Sequence, residues 1–187
     1  MMKKTIYLIT LCICLVLIGC GNVSEGEEMK KADDNDVLSG LGVAKFEVTS
    51  EDIHNGVWDT AITNTAYGKN VSPALLWDPV DGADSYVIYM VDPTARNWMH
   101  WKTNGVTDTD LVRGWASYDE YVGPYPPSGT HDYVIYVIAL KESVRSIGGV
   151  FDSANADFSA IAKDLNSNNG NILAYGVISG TYTHGDR

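Results

Sequence analysis

Two histidines sit where chemistry would be easiest to build. His100 lies in Val91-Asp-Pro-Thr-Ala-Arg-Asn-Trp-Met-His-Trp101, and His131 lies in Gly123-Pro-Tyr-Pro-Pro-Ser-Gly-Thr-His-Asp-Tyr133. Each segment adjoins an apolar run that reads as a strand, so one sheet rim can bring them together. The meeting would produce two imidazoles, the Asp92 carboxylate, the Tyr133 phenol, stiff walls at Pro126 and Pro127, and the Trp98 ring at the edge. Convergent donors in an apolar recess suit a small anion.

Side chains alternate along a strand. Trp98 and His100 are therefore expected on one face, with Met99 and Trp101 on the other. By the same parity His131 and Tyr133 point together and Asp132 points away. Asp132, although adjacent to His131 in sequence, is badly placed to orient it, which leaves Asp92 as the partner. A carboxylate beside an imidazole fixes which ring nitrogen donates and favours the protonated ring.

Other chemistries find less support. Asp92, His100 and His131 form a two-histidine, one-carboxylate set but lack the tight spacing of common metal motifs, so no metal and no cofactor are expected. Ser72 precedes Pro73 and lacks the Gly-x-Ser-x-Gly elbow that exposes a nucleophile. Binding is therefore favoured over catalysis, with phosphoester hydrolysis the weaker alternative. His54 and His184 lack comparable surroundings and read as solvated. Trp77, Trp101, Tyr86 and Tyr136 read as core.

The elements that position these residues are mostly strands. Residues 44–50 alternate, with Phe46 and Val48 on one face. Residues 86–91 and 133–140 are continuous β-branched and aromatic runs, which implies burial on both faces. Residues 172–179 read as a last strand. A helix is expected over 155–167, with Phe158, Ile161, Ala162 and Leu165 as its core stripe and Asn168-Asn169-Gly170 as its stop. The fold class is mainly β, a sandwich of antiparallel sheets with one or two short helices.

The N-terminal residues read as a separate unit. Lys3 and Lys4 precede an apolar stretch over 6–18, too short for a comfortable span of roughly 20 residues. Residues 1–19 are expected to be a signal peptide. Leu17-Ile18-Gly19-Cys20 resembles a bacterial lipobox, which implies cleavage before Cys20 and lipidation of its thiol. The product would be a lipoprotein anchored to a membrane outside the cytoplasm. Cys12 and Cys14 would leave with the leader, so the domain would have no disulfide. Residues 20–43 are polar and acidic and are expected to be a disordered linker. Residues 44–187, roughly 140 in number, suffice for one self-supporting domain.

The chain carries a net charge of −11, which becomes −13 when Lys3 and Lys4 are lost. That field disfavours nucleic acid and anionic surfaces, so any anion must be captured locally.

Four motifs in order resemble the phosphatidylethanolamine-binding protein family, in particular its bacterial Raf-kinase-inhibitor-like branch. They are Asn70-Val-Ser-Pro-Ala-Leu-Leu-Trp77, Val91-Asp-Pro with Trp98-Met-His100-Trp101, the segment from Gly123 to Tyr133, and Ser179-Gly-Thr-Tyr182. The similarity runs from about Phe46 to Tyr182. It implies a Greek-key β-sandwich with an anion pocket at one end, formed here by Asp92, Trp98, His100, Pro126, Pro127, His131 and Tyr133. It also implies a small phosphate- or carboxylate-bearing ligand, a phospholipid headgroup among them, and allows inhibition of a cell-envelope protease or another protein as the alternative role. The chain departs from the family where Thr94 and Arg96 replace an aspartate and a proline, and where Asp132 replaces an arginine. Arg96 is expected near the pocket, strengthening anion capture.

Overall fold

The computed structural model describes residues 36–167 and 170–187. In chain order the strands are β1 (Ala44–Lys45), β2 (Val48–Thr49), β3 (Ile53–His54), β4 (Val57–Trp58), β5 (Leu75–Trp77), β6 (Ser85–Asp92), β7 (Trp98–Val106), β8 (Asp110–Leu111), β9 (Thr130–Leu140) and β10 (Ile172–Thr183). Among the described residues one α-helix, α1 (Phe158–Asp164), precedes the last strand. The leader, Cys20 and the linker up to residue 35 lie outside the described residues.

The fold is mainly β, a Greek-key sandwich of a large and a small sheet. The large sheet runs β3-β4-β10-β9-β6-β7, with β1 also on β10, and β2-β5-β8 form the small sheet. The two continuous apolar runs occupy its centre. β6 is buried at every position, and β9 is buried from Tyr133 onward. Alternate residues feed two cores. Ile88, Met90, Tyr133, Ile135 and Val137 pack towards the small sheet. Val87, Tyr89, Val91, Val134, Tyr136 and Ile138 pack on the opposite face, where Phe158 and Ala162 of α1 cover them. This double burial is why neither strand needs polar alternation.

Four features differ from the sequence expectation. The pairings among β6, β7, β9 and β10 are antiparallel, but β1 and β4 run parallel to β10. The twelve-residue β10 gives one edge to β9 and shares the other between these two short strands. Residues 44–50 do not make a single strand: β1 joins the large sheet and β2 the small one. The helix is shorter than 155–167, because residues on either side close turns such as Phe158 N to Asn155 O and Ser167 N to Asp164 O. Of its expected stop, Gly170 has φ +73°, whereas Asn168 and Asn169 lie outside the described residues.

The end of the expected linker is part of the fold. Leu38 is fully buried in the α1-side core, and Asp36 accepts from the Tyr175 hydroxyl at 2.9 Å and pairs with Lys45 at 2.6 Å. Composition alone reads residues 36–43 as solvated, but buried Leu38, with Val37, Leu41 and Val43 packed against the same core, and the well-bonded Asp36 carboxylate attach them to the sheet.

Candidate functional site

Asp92 closes β6 and faces two ways. Its Oδ1 accepts from the Ala95 amide at 3.0 Å, capping the 3-10 turn Pro93–Ala95, and its Oδ2 accepts from His131 Nδ1 at 2.6 Å. A carboxylate only accepts, so the His131 hydrogen is on Nδ1 and Nε2 is its remaining nitrogen. His131 and Tyr133 stack with ring centroids 6.5 Å apart, as their shared parity on β9 requires. Asp132 turns elsewhere, and its amide donates to Thr94 Oγ1 at 3.1 Å.

Parity fails on β7. Met90 pairs with Trp101 and Val91 with Met99, so His100 is an extra residue, a β-bulge. Met99 therefore packs on the α1 side while Trp101 enters the core between the sheets, contrary to their expected common face. Trp98 and His100 nevertheless reach the same cavity. The His100 Nδ1 donates to the Val122 carbonyl at 2.8 Å, again leaving Nε2. Burial is the main cause that lowers the His100 pKa, outweighing the Val122 carbonyl and the Asp92 and Asp152 charges, so the ring is neutral at neutral pH.

These residues line a cavity of about 420 Å³. Asp92, Trp98, His100, Pro127, His131 and Tyr133 all contribute to it. The Tyr133 hydroxyl is fully buried and has no hydrogen-bond partner among the described residues; the Tyr125 amide approaches without the geometry of a bond. Burial, then the Asp92 charge, holds this phenol far above its ordinary pKa, so it is a donor. Pro126 is not among the lining residues. Its carbonyl accepts instead from Nδ1 of His184 at 2.9 Å, so that exposed histidine braces the proline wall from outside. Arg96 is exposed, has φ +58° and does not line the cavity, so its expected help in anion capture is not realised.

Six lining residues are absent from the expected site: Asn64, Ala95, Val122, Gly123, Tyr125 and Asp152. Gly123 and Tyr125 lie within the His131 motif and were legible by position. Asp152 carries no local signal, since it comes from a turn remote from both histidine segments. Ser72 is buried away from this lining and its Oγ accepts from the Ala116 amide at 3.0 Å. Among the described residues no group of three His, Cys, Asp or Glu side chains is arranged to hold a metal.

The model of the phosphatidylethanolamine-binding protein family matches residues 48–183, most of the chain and all of this pocket's histidine motifs. The chain belongs to that family. The solved structure of Escherichia coli YbcL, described as a new member of the mammalian phosphatidylethanolamine-binding protein family, aligns with a TM-score of 0.58 at 26% identity, covering 75% of this chain and 99% of YbcL. The phosphatidylethanolamine-binding protein homologue CT736 of Chlamydia trachomatis shares the fold at a TM-score of 0.54 and 21% identity, over 74% of this chain and 97% of its own. Two curated relatives match in part. The Drosophila melanogaster protein named "Putative odorant-binding protein A5" is 30% identical over 51% of this chain, and the Methanothermobacter thermautotrophicus UPF0098 protein is 33% identical over 41%. The matched stretches span 49% and 64% of those relatives' lengths.

Proposed function

We propose that this chain is a non-enzymatic binding protein that holds a small phosphate- or carboxylate-bearing molecule in the cavity between His100 and His131. The observation that carries this reading is the buried, unpartnered Tyr133 hydroxyl beside two imidazoles whose Nδ1 atoms are already engaged. A buried hydroxyl without a partner costs about 1–3 kcal/mol, and a ligand oxygen is a natural way to recover it. A phospholipid headgroup and a free phosphate share that chemistry. The signal-like residues 1–19 and Cys20 support placement outside the cytoplasm on a lipid anchor.

Calorimetry with inorganic phosphate and with glycerophosphoethanolamine tests the site. Binding by the wild type and its loss in a folded His131→Ala variant is the expected result; equal binding by both proteins overturns the assignment. Globomycin-sensitive processing and labelling of Cys20 by a palmitate analogue test the anchor, and a soluble, unlabelled protein overturns it.

A second reading, modulation of a cell-envelope protease, is favoured by the cavity's rim. Trp98 and Tyr125 line it and are 36% and 62% exposed, leaving aromatic surface for a protein to cover. Loss of protease inhibition in Tyr125→Ser is its test; inhibition unchanged by that substitution removes the rim from the argument.

A further inference from the structure

We infer that Asp152 makes this pocket a charge filter, one that favours acids bearing a single negative charge over dianions. The inference rests on the anion-binding reading above and narrows its ligand class to carboxylates, phosphodiesters and singly protonated phosphates.

Asp152 is held in place from two directions. Its backbone has φ +50°, a conformation that aspartate and asparagine tolerate better than other side chains. Its amide donates to the Met99 carbonyl at 3.0 Å, and its Oδ1 accepts from the Trp98 indole at 3.1 Å. The exposed carboxylate is thus fixed at the cavity rim by a neutral donor, where its charge acts on whatever enters.

The rest of the lining does not offset that charge. It includes no lysine or arginine. The Asp92 Oδ2 is already engaged by Nδ1 of His131, so it supplies no positive charge to the lining. His100 is neutral for the reasons given above, with Asp92 and Asp152 the charges that act on it and Tyr133 edge-on at 5.1 Å. A neutral Nε2 is an acceptor. It offers no donor to a second negative oxygen. The first ligand charge can take the Tyr133 hydroxyl as its donor, whereas a second meets Asp152.

Coulomb repulsion grows in proportion to ligand charge. Removing Asp152 should therefore raise dianion affinity by about the square of the factor it gives a monoanion. Asp152→Asn suits the test, because it keeps an acceptor for Trp98 and tolerates the same backbone.

The experiment is calorimetry on the intact protein at about pH 8 with benzoate, phenyl phosphate and methyl phenyl phosphate. Phenyl phosphate is a dianion there, since phosphomonoesters lose their second proton near about pH 6. The wild type is expected to bind benzoate and the diester more tightly than phenyl phosphate. In Asp152→Asn the two monoanions should gain about threefold and phenyl phosphate about tenfold. Equal changes for all three ligands, or a diester that follows the monoester, overturn the filter while leaving anion binding intact. Failure of the wild type to bind any of them overturns the anion reading, and the filter with it.

Discussion

Across the β6–β9 pair, Nδ1 of His131 lies 2.6 Å from Oδ2 of Asp92, while the other oxygen of the same carboxylate caps the turn that leaves β6. One side chain, only 2% exposed, thus fixes both the loop that ends at Trp98 and the tautomer of the histidine facing it. Local structure and ligand chemistry are joined at that residue.

Asp92→Asn separates the two roles. An amide oxygen can keep the Ala95 cap, but the neutral group cannot hold His131 as a carboxylate does. Stability is expected to fall by about 1–2 kcal/mol, the scale of one weakened buried hydrogen bond. Phosphate affinity should fall by about tenfold or more, with a changed His131 tautomer in nitrogen-detected NMR. An unchanged tautomer and affinity would show that ring packing alone orients His131.

Tyr133→Phe should move stability and binding in opposite directions. The hydroxyl has no hydrogen-bond partner among the described residues, so deleting it removes a desolvation cost. The variant is expected to be as stable as wild type or more so, by up to about 1 kcal/mol, and to bind phosphate about five- to tenfold more weakly. Urea unfolding and calorimetry on the same samples check both. A loss of stability would mean that the hydroxyl is bonded in the free protein.

Much of this arrangement was legible in the sequence, and the exceptions have physical causes. Parity placed His131 with Tyr133 and set Asp132 aside because β9 is a regular strand. The same rule misplaced Trp101 because the bulge at His100 adds a residue, and no local composition announces a bulge. Residues 36–43 look solvated because they follow an acidic, polar run and mix glycine and serine among Val37, Leu38, Leu41 and Val43; the value of Leu38 comes from Tyr136 and Phe158 packing in the same core, which are remote in sequence. Asp152 reaches the pocket only through tertiary packing of its turn against Met99 and Trp98.

His100 gives the domain an acid-sensitive step. Burial lowers its pKa in the folded state from the 6.5 of an unstrained histidine. Between that lowered value and about 6.5 the unfolded chain binds the proton more tightly, so stability rises with pH across the window. The contribution is complete above about 6.5 and is lost as pH falls towards the folded pKa, with a slope of at most about 1.4 kcal/mol per pH unit. Urea midpoints measured from about pH 7.5 down to 5 should fall more steeply for wild type than for His100→Asn. Parallel curves would show that the ring titrates as if solvated.

Gly123 is where the pocket wall depends on the absence of a side chain. A Cβ there would sit 2.1 Å from the Ile62 carbonyl oxygen and 2.8 Å from the Asn64 amide nitrogen, both backbone atoms that cannot swing aside. The close approach is held by two further bonds: Gly123 N donates to Asn70 Oδ1 at 2.7 Å, and Asn64 N donates to the Pro124 carbonyl at 3.1 Å. Gly123→Ala must push the 122–124 backbone away from residues 62–64, moving the Val122 carbonyl that orients His100. Overpacking of this kind costs about 1–3 kcal/mol. The variant is therefore expected to unfold at lower urea and to bind phosphate more weakly even under conditions where it is fully folded. The His100 ring resonances should shift with it, whereas those of His54, on the short β3 strand, should not. Weakened stability with His100 and phosphate affinity both unchanged would mean that the wall yields elsewhere and does not set the histidine's position.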